Sequence, residues 1–289
     1  MSHDRDRAGA APRAAHGAAG GSGVGLALLG LLAVSVAGLA WLATDLLSTA
    51  TADGPDATAT LGASTDGYDV WARNEDGSPV RWDPCAPIHL VIADDGAPAG
   101  WRDDLDRAMD EVGEVSGLAF EVEATTDERP DVRRPAYQPD RYGHRWAPVL
   151  VAWSPPGEGD LPLHATDRGL AIPLAVGVDG DRTYVTGQIV LNRERDDLEV
   201  GFADRAGSWG ATLLHELGHL LGLAHADDHA QLMAHYPGEG PVVLGEGDRA
   251  GLRAVGSDAG CRAVPDPGPI EIPEPHSELD ILREERRGD

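Results

Sequence analysis

Lysine is absent from this sequence: all 23 basic residues are arginine, set against 49 aspartates and glutamates. The formal charge of -26 excludes nucleic acid as a partner, because its phosphates would be repelled, and describes a soluble, non-sticky surface. Cysteine occurs only as Cys85 and Cys261, which leaves room for at most one intrachain disulfide. Charge is missing altogether from one stretch, Val24–Ala43, which is about long enough to span a bilayer. Arg5, Arg7 and Arg13 precede it, Asp45 and Asp53 follow it, and the next arginine is Arg73, so the positive-inside rule places the N-terminus in the cytoplasm and the rest outside. The length of the run favours an uncleaved anchor over a cleaved signal segment, for which Ala50-Thr51-Ala52 offers a small-x-small site.

Around that run the chain divides by composition. Residues 1–23 are polar and rich in Gly and Ala and read as disordered, residues 44–67 read as a linker, and residues 263–289, rich in Pro and Glu, as a disordered tail. Residues 68–262 read as one domain of ordinary size. It opens with a small hairpin over Tyr68–Arg81, turning at Glu75-Asp76-Gly77-Ser78. Ile88–Ile92 is a first strand, and Trp101–Val115 has its apolar residues at helical period. Leu118–Glu123 alternates as a second strand, and residues 125–146 form a long loop. Pro148–Trp153 is a strand buried on both faces, and Gly169–Val178 pairs with Thr183–Leu191 as a hairpin. The strand–helix–strand opening implies a parallel pair with a right-handed crossover.

The chemistry concentrates in His215-Glu216-Leu217-Gly218-His219-Leu220-Leu221-Gly222-Leu223-Ala224-His225. Trp209–Leu223 has no proline and reads as a buried helix, so His215 and His219, about one turn apart, project from one face as half of a tetrahedral zinc site. A continuing helix would carry His225 about 9 Å beyond His219, too far for a common ion. Gly222 resolves this by ending the helix in the left-handed conformation and letting the chain turn back. Three neutral imidazoles leave a fourth position for water, the pattern of catalytic zinc. Glu216 reaches that water without taking the metal.

These eleven residues resemble the long zinc motif of the metzincin metalloproteases, and Leu232-Met233 follows at a spacing suited to their Met-turn. Gly245–Gly256 resembles the closing helix of the matrixin branch, so the chain is similar to bacterial matrixin peptidases over about residues 80–261. The resemblance implies an α+β fold with a mostly parallel twisted sheet, an antiparallel edge strand at Gly169–Val178 above the cleft, an active-site helix and a C-terminal helix. It implies one catalytic zinc on His215, His219 and His225, Glu216 as general base, and Met233 as an apolar floor. Tyr236 and Pro237 resemble the wall of the pocket for the side chain after the cut bond, with Tyr236 a candidate for transition-state contact.

The expected activity is peptide-bond hydrolysis outside the membrane on a protein or peptide substrate, by a monomer. The rivals are a zinc-holding binding module without turnover, against which Glu216 argues because a pure ligand site does not need it, and a surface adhesion or scaffold protein in which the site is incidental. The pair Cys85 and Cys261 reads as a disulfide closing the domain. The rival, a zymogen thiolate on zinc, is disfavoured because Asp83-Pro84-Cys85-Ala86-Pro87 departs from the matrixin Pro-Arg-Cys-Gly pattern and the first strand follows almost at once. The His-x-Asp signature of a second matrixin zinc is missing, and His164 with Asp160 and Asp167 does not replace it. Asp179, Asp181, Asp227 and Asp228 supply oxygen ligands of the kind calcium needs, with exposed solubilising charge as the plainer reading. His89, His144, His229 and His235 carry no expected role.

Overall fold

The computed structural model describes residues 67–178, 180–202, 207–234 and 243–270. The proposed anchor at 24–43, the disordered residues 1–23 and nearly all of the 44–67 linker lie outside them, as do Tyr236, Pro237, Asp179 and His235. Among the described residues no helix is long and apolar enough to cross a membrane.

Strand β1 (Ile88–Ala93) leads into helix α1 (Trp101–Ser116) and returns through β2 (Phe120–Thr125), parallel to β1, as the strand–helix–strand pattern predicts. β2 begins two residues later than the sequence suggests. Gly117, at φ 72°, ends α1 with its N–H on the Gly113 carbonyl, and Leu118 is buried in the turn that follows. β3 (Val149–Ser154) is buried at every position, the mark of a strand between two parallel partners. β4 (Gly169–Val178) and β5 (Asp181–Asn192) form the expected hairpin. The sheet order is β2-β1-β3-β5-β4, parallel throughout except for β4, the antiparallel edge. Pro173, which has no N–H to give, is tolerated in β4 because that strand is an edge.

On one face α1 and helix α3 (Trp209–Leu220) cover the sheet. Leu90, Ile92 and Val151 meet Leu105, Val112, Leu213 and Leu217 there. Trp153 anchors the layer edge-on between Trp101 at 5.6 Å and Trp209 at 4.4 Å between ring centroids, the geometry that aromatic quadrupoles favour. Helix α4 (Glu246–Val255) closes the end of the layer through Leu252 and Val255.

The opposite face is covered by segments without long elements. Residues 125–146, expected as a loop, contain the short helix α2 (Pro139–Tyr142) and are tied down by a buried ion pair. Arg134 donates to both Glu128 oxygens at 2.9 and 3.0 Å, to Thr186 Oγ1 at 3.1 Å and to the Pro148 carbonyl at 2.9 Å. Tyr142 Oη and Gln138 Nε2 donate to the same carboxylate. Burial pushes the Glu128 carboxyl up, but the Arg134, Tyr142 and Gln138 donors outweigh it and leave the pKa below the ordinary 4.5. A lowered folded pKa means that the pair's contribution is complete above about pH 4.5 and is lost as pH falls through the folded value. Glu128→Gln, which strands a buried guanidinium, is expected to cost about 3 kcal/mol at pH 7. In urea melts its deficit against the wild type should shrink toward pH 3.

The hairpin at residues 68–81 is present, with Arg73 bridged to Pro79. Cys85 and Cys261 are bonded, with Cα atoms 5.4 Å apart. The start of the proposed disordered tail is instead docked: Trp146 Nε1 donates to the Pro265 carbonyl at 3.0 Å. Residues 271–289 lie outside the described residues.

Candidate metal centre and cleft

Helix α3 starts at Ser208, whose extended backbone and side-chain oxygen, accepting from Ala211 N at 3.4 Å, cap its first turn. Its stop is sharper than its start. Gly222 sits at φ 107°, its N–H bonds the His219 carbonyl at 2.9 Å, and Leu223 N bonds the Gly218 carbonyl at 3.0 Å. That pair of bonds is the glycine-ended Schellman arrangement. A Cβ at Gly222 would also stand 2.9 Å from the Tyr184 ring, so glycine is required twice over.

Past Gly222 the chain is caught by the N-terminal hairpin. Trp71 N donates to the Gly222 carbonyl at 2.9 Å and Ala224 N to the Asp69 carbonyl at 3.0 Å, so Val70 and Leu223 form an antiparallel bridge. The strap directs His225 back beneath α3. The ring centroids of His215, His219 and His225 lie 4.5, 4.6 and 5.4 Å apart, and one ligating atom from each falls within 4.8 Å of the others. The Trp71 indole lies 5.1 Å from the His219 ring and 6.2 Å from that of His225.

The donor set fits zinc. His215 Nδ1 lies 2.8 Å from the Leu232 carbonyl and His219 Nδ1 2.8 Å from the Leu223 carbonyl. A carbonyl only accepts, so each Nδ1 carries the proton and each Nε2 keeps the lone pair a metal needs. Two nitrogens on one tetrahedral zinc, each at about 2.0–2.1 Å, stand about 3.4 Å apart; the Nε2 atoms of His219 and His225 stand 3.2 Å apart.

Met233 lies against Gly218 of α3, where a side chain at 218 would collide with its sulfur. The turn carrying Met233 is held by a residue that sequence reasoning missed. Asp248, fully buried in the first turn of α4, accepts from Leu232 N at 2.7 Å, Met233 N at 3.1 Å and Gly245 N at 2.7 Å. Its only sequence signal is an acidic residue at a helix start. Glu216 is 6% exposed, with β4 passing directly over it. A Cβ at Gly169 would meet Glu216 Oε1 at 2.9 Å, so the edge strand approaches the carboxylate at a distance only glycine permits. Among the described residues no strand pairs with the outer edge of β4.

The remaining candidates are spoken for. His89 faces Glu123 at 2.9 Å, and His144 Nδ1 meets Tyr137 Oη at 2.7 Å. Asp167 accepts from His164 N, Asp228 from Ala230 N, and Asp181 pairs with Arg262. Among the described residues the aspartates suggested for calcium gather into no group able to hold an ion.

Compared with known families, residues 160–255 match Matrixin. Among solved structures the chain matches high choriolytic enzyme 1, a hatching-enzyme zinc-protease from the medaka fish Oryzias latipes, at 16% identity and a TM-score of 0.24. That alignment covers 54% of this chain and 50% of the hatching enzyme, so the chain spans half the length of the protein it matches. No curated protein matches the sequence.

Proposed function

We propose, from the premise that residues 160–255 are a matrixin-like metzincin segment, that the protein is a zinc-dependent endopeptidase working outside the cytoplasmic membrane. The observation that carries this reading is the convergence of three imidazoles beside a buried carboxylate, directly beneath a sheet edge with no partner among the described residues. His215, His219 and His225 would hold the zinc, which would supply Lewis acidity toward the scissile carbonyl and acidify a water at that place.

The chain's own groups do the rest. An extended peptide adds to the outer edge of β4 through backbone hydrogen bonds, which fixes the scissile bond near Glu216. Glu216 takes the proton of the attacking water and hands it to the leaving amine, so peptide hydrolysis proceeds without a covalent enzyme intermediate. Because Gly169 closes over it, Glu216 works where little water dilutes its charge. Asp248 and the Trp71 strap keep the ligand rings in register from opposite ends of the motif.

Export is supported by the charge-free run at 24–43, closely preceded by arginines and followed by none until Arg73, and by the Cys85–Cys261 disulfide, a bond characteristic of oxidising compartments. The purified protein is expected to cleave casein and quenched peptides, to lose all cleavage to 1,10-phenanthroline, and to regain it with one equivalent of zinc. Cleavage that survives the chelator would remove the metallopeptidase reading.

A further inference from the structure

Arg168 immediately precedes Gly169, the residue that lies over Glu216. Its side chain is half-buried and rests on Gly207, where a Cβ would meet the guanidinium carbon at 2.6 Å, so the group is fixed beside the start of α3. Other buried arginines here are satisfied: Arg134 by Glu128 and carbonyls, Arg81 by the carbonyls of Trp82 and Ala259. The Arg168 guanidinium has no such partner among the described residues. The neighbouring carboxylate, Asp197, is held through both oxygens by Arg195 at 2.6 and 2.7 Å. Burial, then the charge of Arg195, lower the Arg168 pKa, as expected for a cation short of countercharge. The first N–H groups of α3 are already taken by the Glu199 and Gly201 carbonyls and by Ser208 Oγ, so among the described residues the guanidinium, and not the helix end, is the donor without a hydrogen-bond acceptor at this place.

Orientation gives the donor its meaning. β4 runs away from Arg168 toward Val178. A substrate strand antiparallel to β4 therefore points its C-terminal side toward the Arg168 end of β4, and its residues past the cut advance toward that end at about 3.3 Å each.

We propose that Arg168 is a specificity-determining residue that binds a substrate carboxylate on the leaving-amine side of the scissile bond, within about three residues of it. The carboxylate is either an acidic side chain or the free C-terminus of a short peptide. The assignment rests on the endopeptidase reading above. On a chain of net charge -26 such a local cation selects where it lies, because the rest of the surface repels acidic peptides.

The test uses the zinc-loaded full chain and quenched peptides that differ at one position, Glu, Gln or Lys, on either side of the cut, with cut sites mapped by mass spectrometry. A second arm compares free and amidated C-termini, which separates the two sources of carboxylate. Glu past the cut should raise kcat/KM about tenfold over Gln, the scale of a bond to a charged donor. That ratio should fall toward one in Arg168→Gln, persist in part in Arg168→Lys, and turn in favour of Lys peptides in Arg168→Glu. No downstream preference in the wild type, or an unchanged ratio in Arg168→Gln, overturns the proposal, as does a preference confined to the upstream side. Should the wild type cleave nothing, the endopeptidase reading fails separately. Kd values for the same Glu and Gln peptides on zinc-loaded Glu216→Ala protein then decide on Arg168, with equal values counting against it.

Discussion

Glu216→Ala is expected to keep one zinc per chain while kcat falls by about a hundredfold to ten-thousandfold, the range of a lost general base. The retention of metal follows from position. Glu216 lies one residue round the helix from His215, with its carboxylate against Gly169 and not among the three converging nitrogens. The loss of rate follows from its proposed proton task. His225→Ala is the contrasting variant. It removes one of three nitrogens and should lose zinc and activity together, since two imidazoles from one helix turn leave half of a tetrahedral site. Zinc content by atomic absorption beside peptide turnover separates the two behaviours. Glu216→Ala protein with wild-type turnover would end the proposed mechanism, and His225→Ala protein with unchanged zinc would end the three-histidine ligand set.

Reducing the Cys85–Cys261 bond should lower stability by about 5 kcal/mol, because it closes a loop of sequence separation 176 and so restrains the unfolded chain strongly in the loop-entropy account. Both cysteines are exposed, so dithiothreitol reaches the bond in the folded protein. The bond joins the chain just before β1 to the chain just after α4, and Asp83 reinforces the same junction by accepting from Cys85 N and Arg262 N. Urea midpoints of the oxidised wild type and of Cys85→Ser/Cys261→Ser protein measure the effect. Equal midpoints would show that the junction is held by its other contacts. Zinc stoichiometry in the reduced protein should stay at one below the unfolding range, because the three ligands lie within residues 215–225 and their supports, Asp248 and the strap at Asp69–Trp71, are bonded to the motif directly and not through the cysteines.

Much of this architecture was legible in local patterns. The turn residues between Gly169–Val178 and Thr183–Leu191 announce a hairpin, the apolar run at Pro148–Trp153 announces a buried strand, and the period of Trp101–Val115 announces a helix, because turns and buried faces each leave a local mark. The segment 125–146 is a loop apart from α2, as its composition suggests, but its order comes from Arg134 and Glu128, which the sequence does not announce as a pair. A sequence rich in arginine, proline and aspartate looks solvated until a guanidinium and a carboxylate are found facing each other underneath it. Docking of Pro265 on Trp146 escaped notice for the same reason, since nothing in a Pro-rich tail announces which indole it will meet.

By itself the sequence determined which three imidazoles meet and that a glycine ends the helix between them, and it pointed to Glu216 as their neighbour. Those relations lie within eleven consecutive residues, one helix turn and the glycine-ended stop after it, so local chain geometry already sets most of their spacing. Only the tertiary structure decided that Gly169 closes over Glu216, that Trp71 lies against the ligand rings, that Asp248 holds the turn carrying Met233, and that the Arg168 side chain rests on Gly207 before the start of α3. Each of these joins segments distant along the chain, and such meetings are set by how helices and sheet pack together, which no local periodicity encodes.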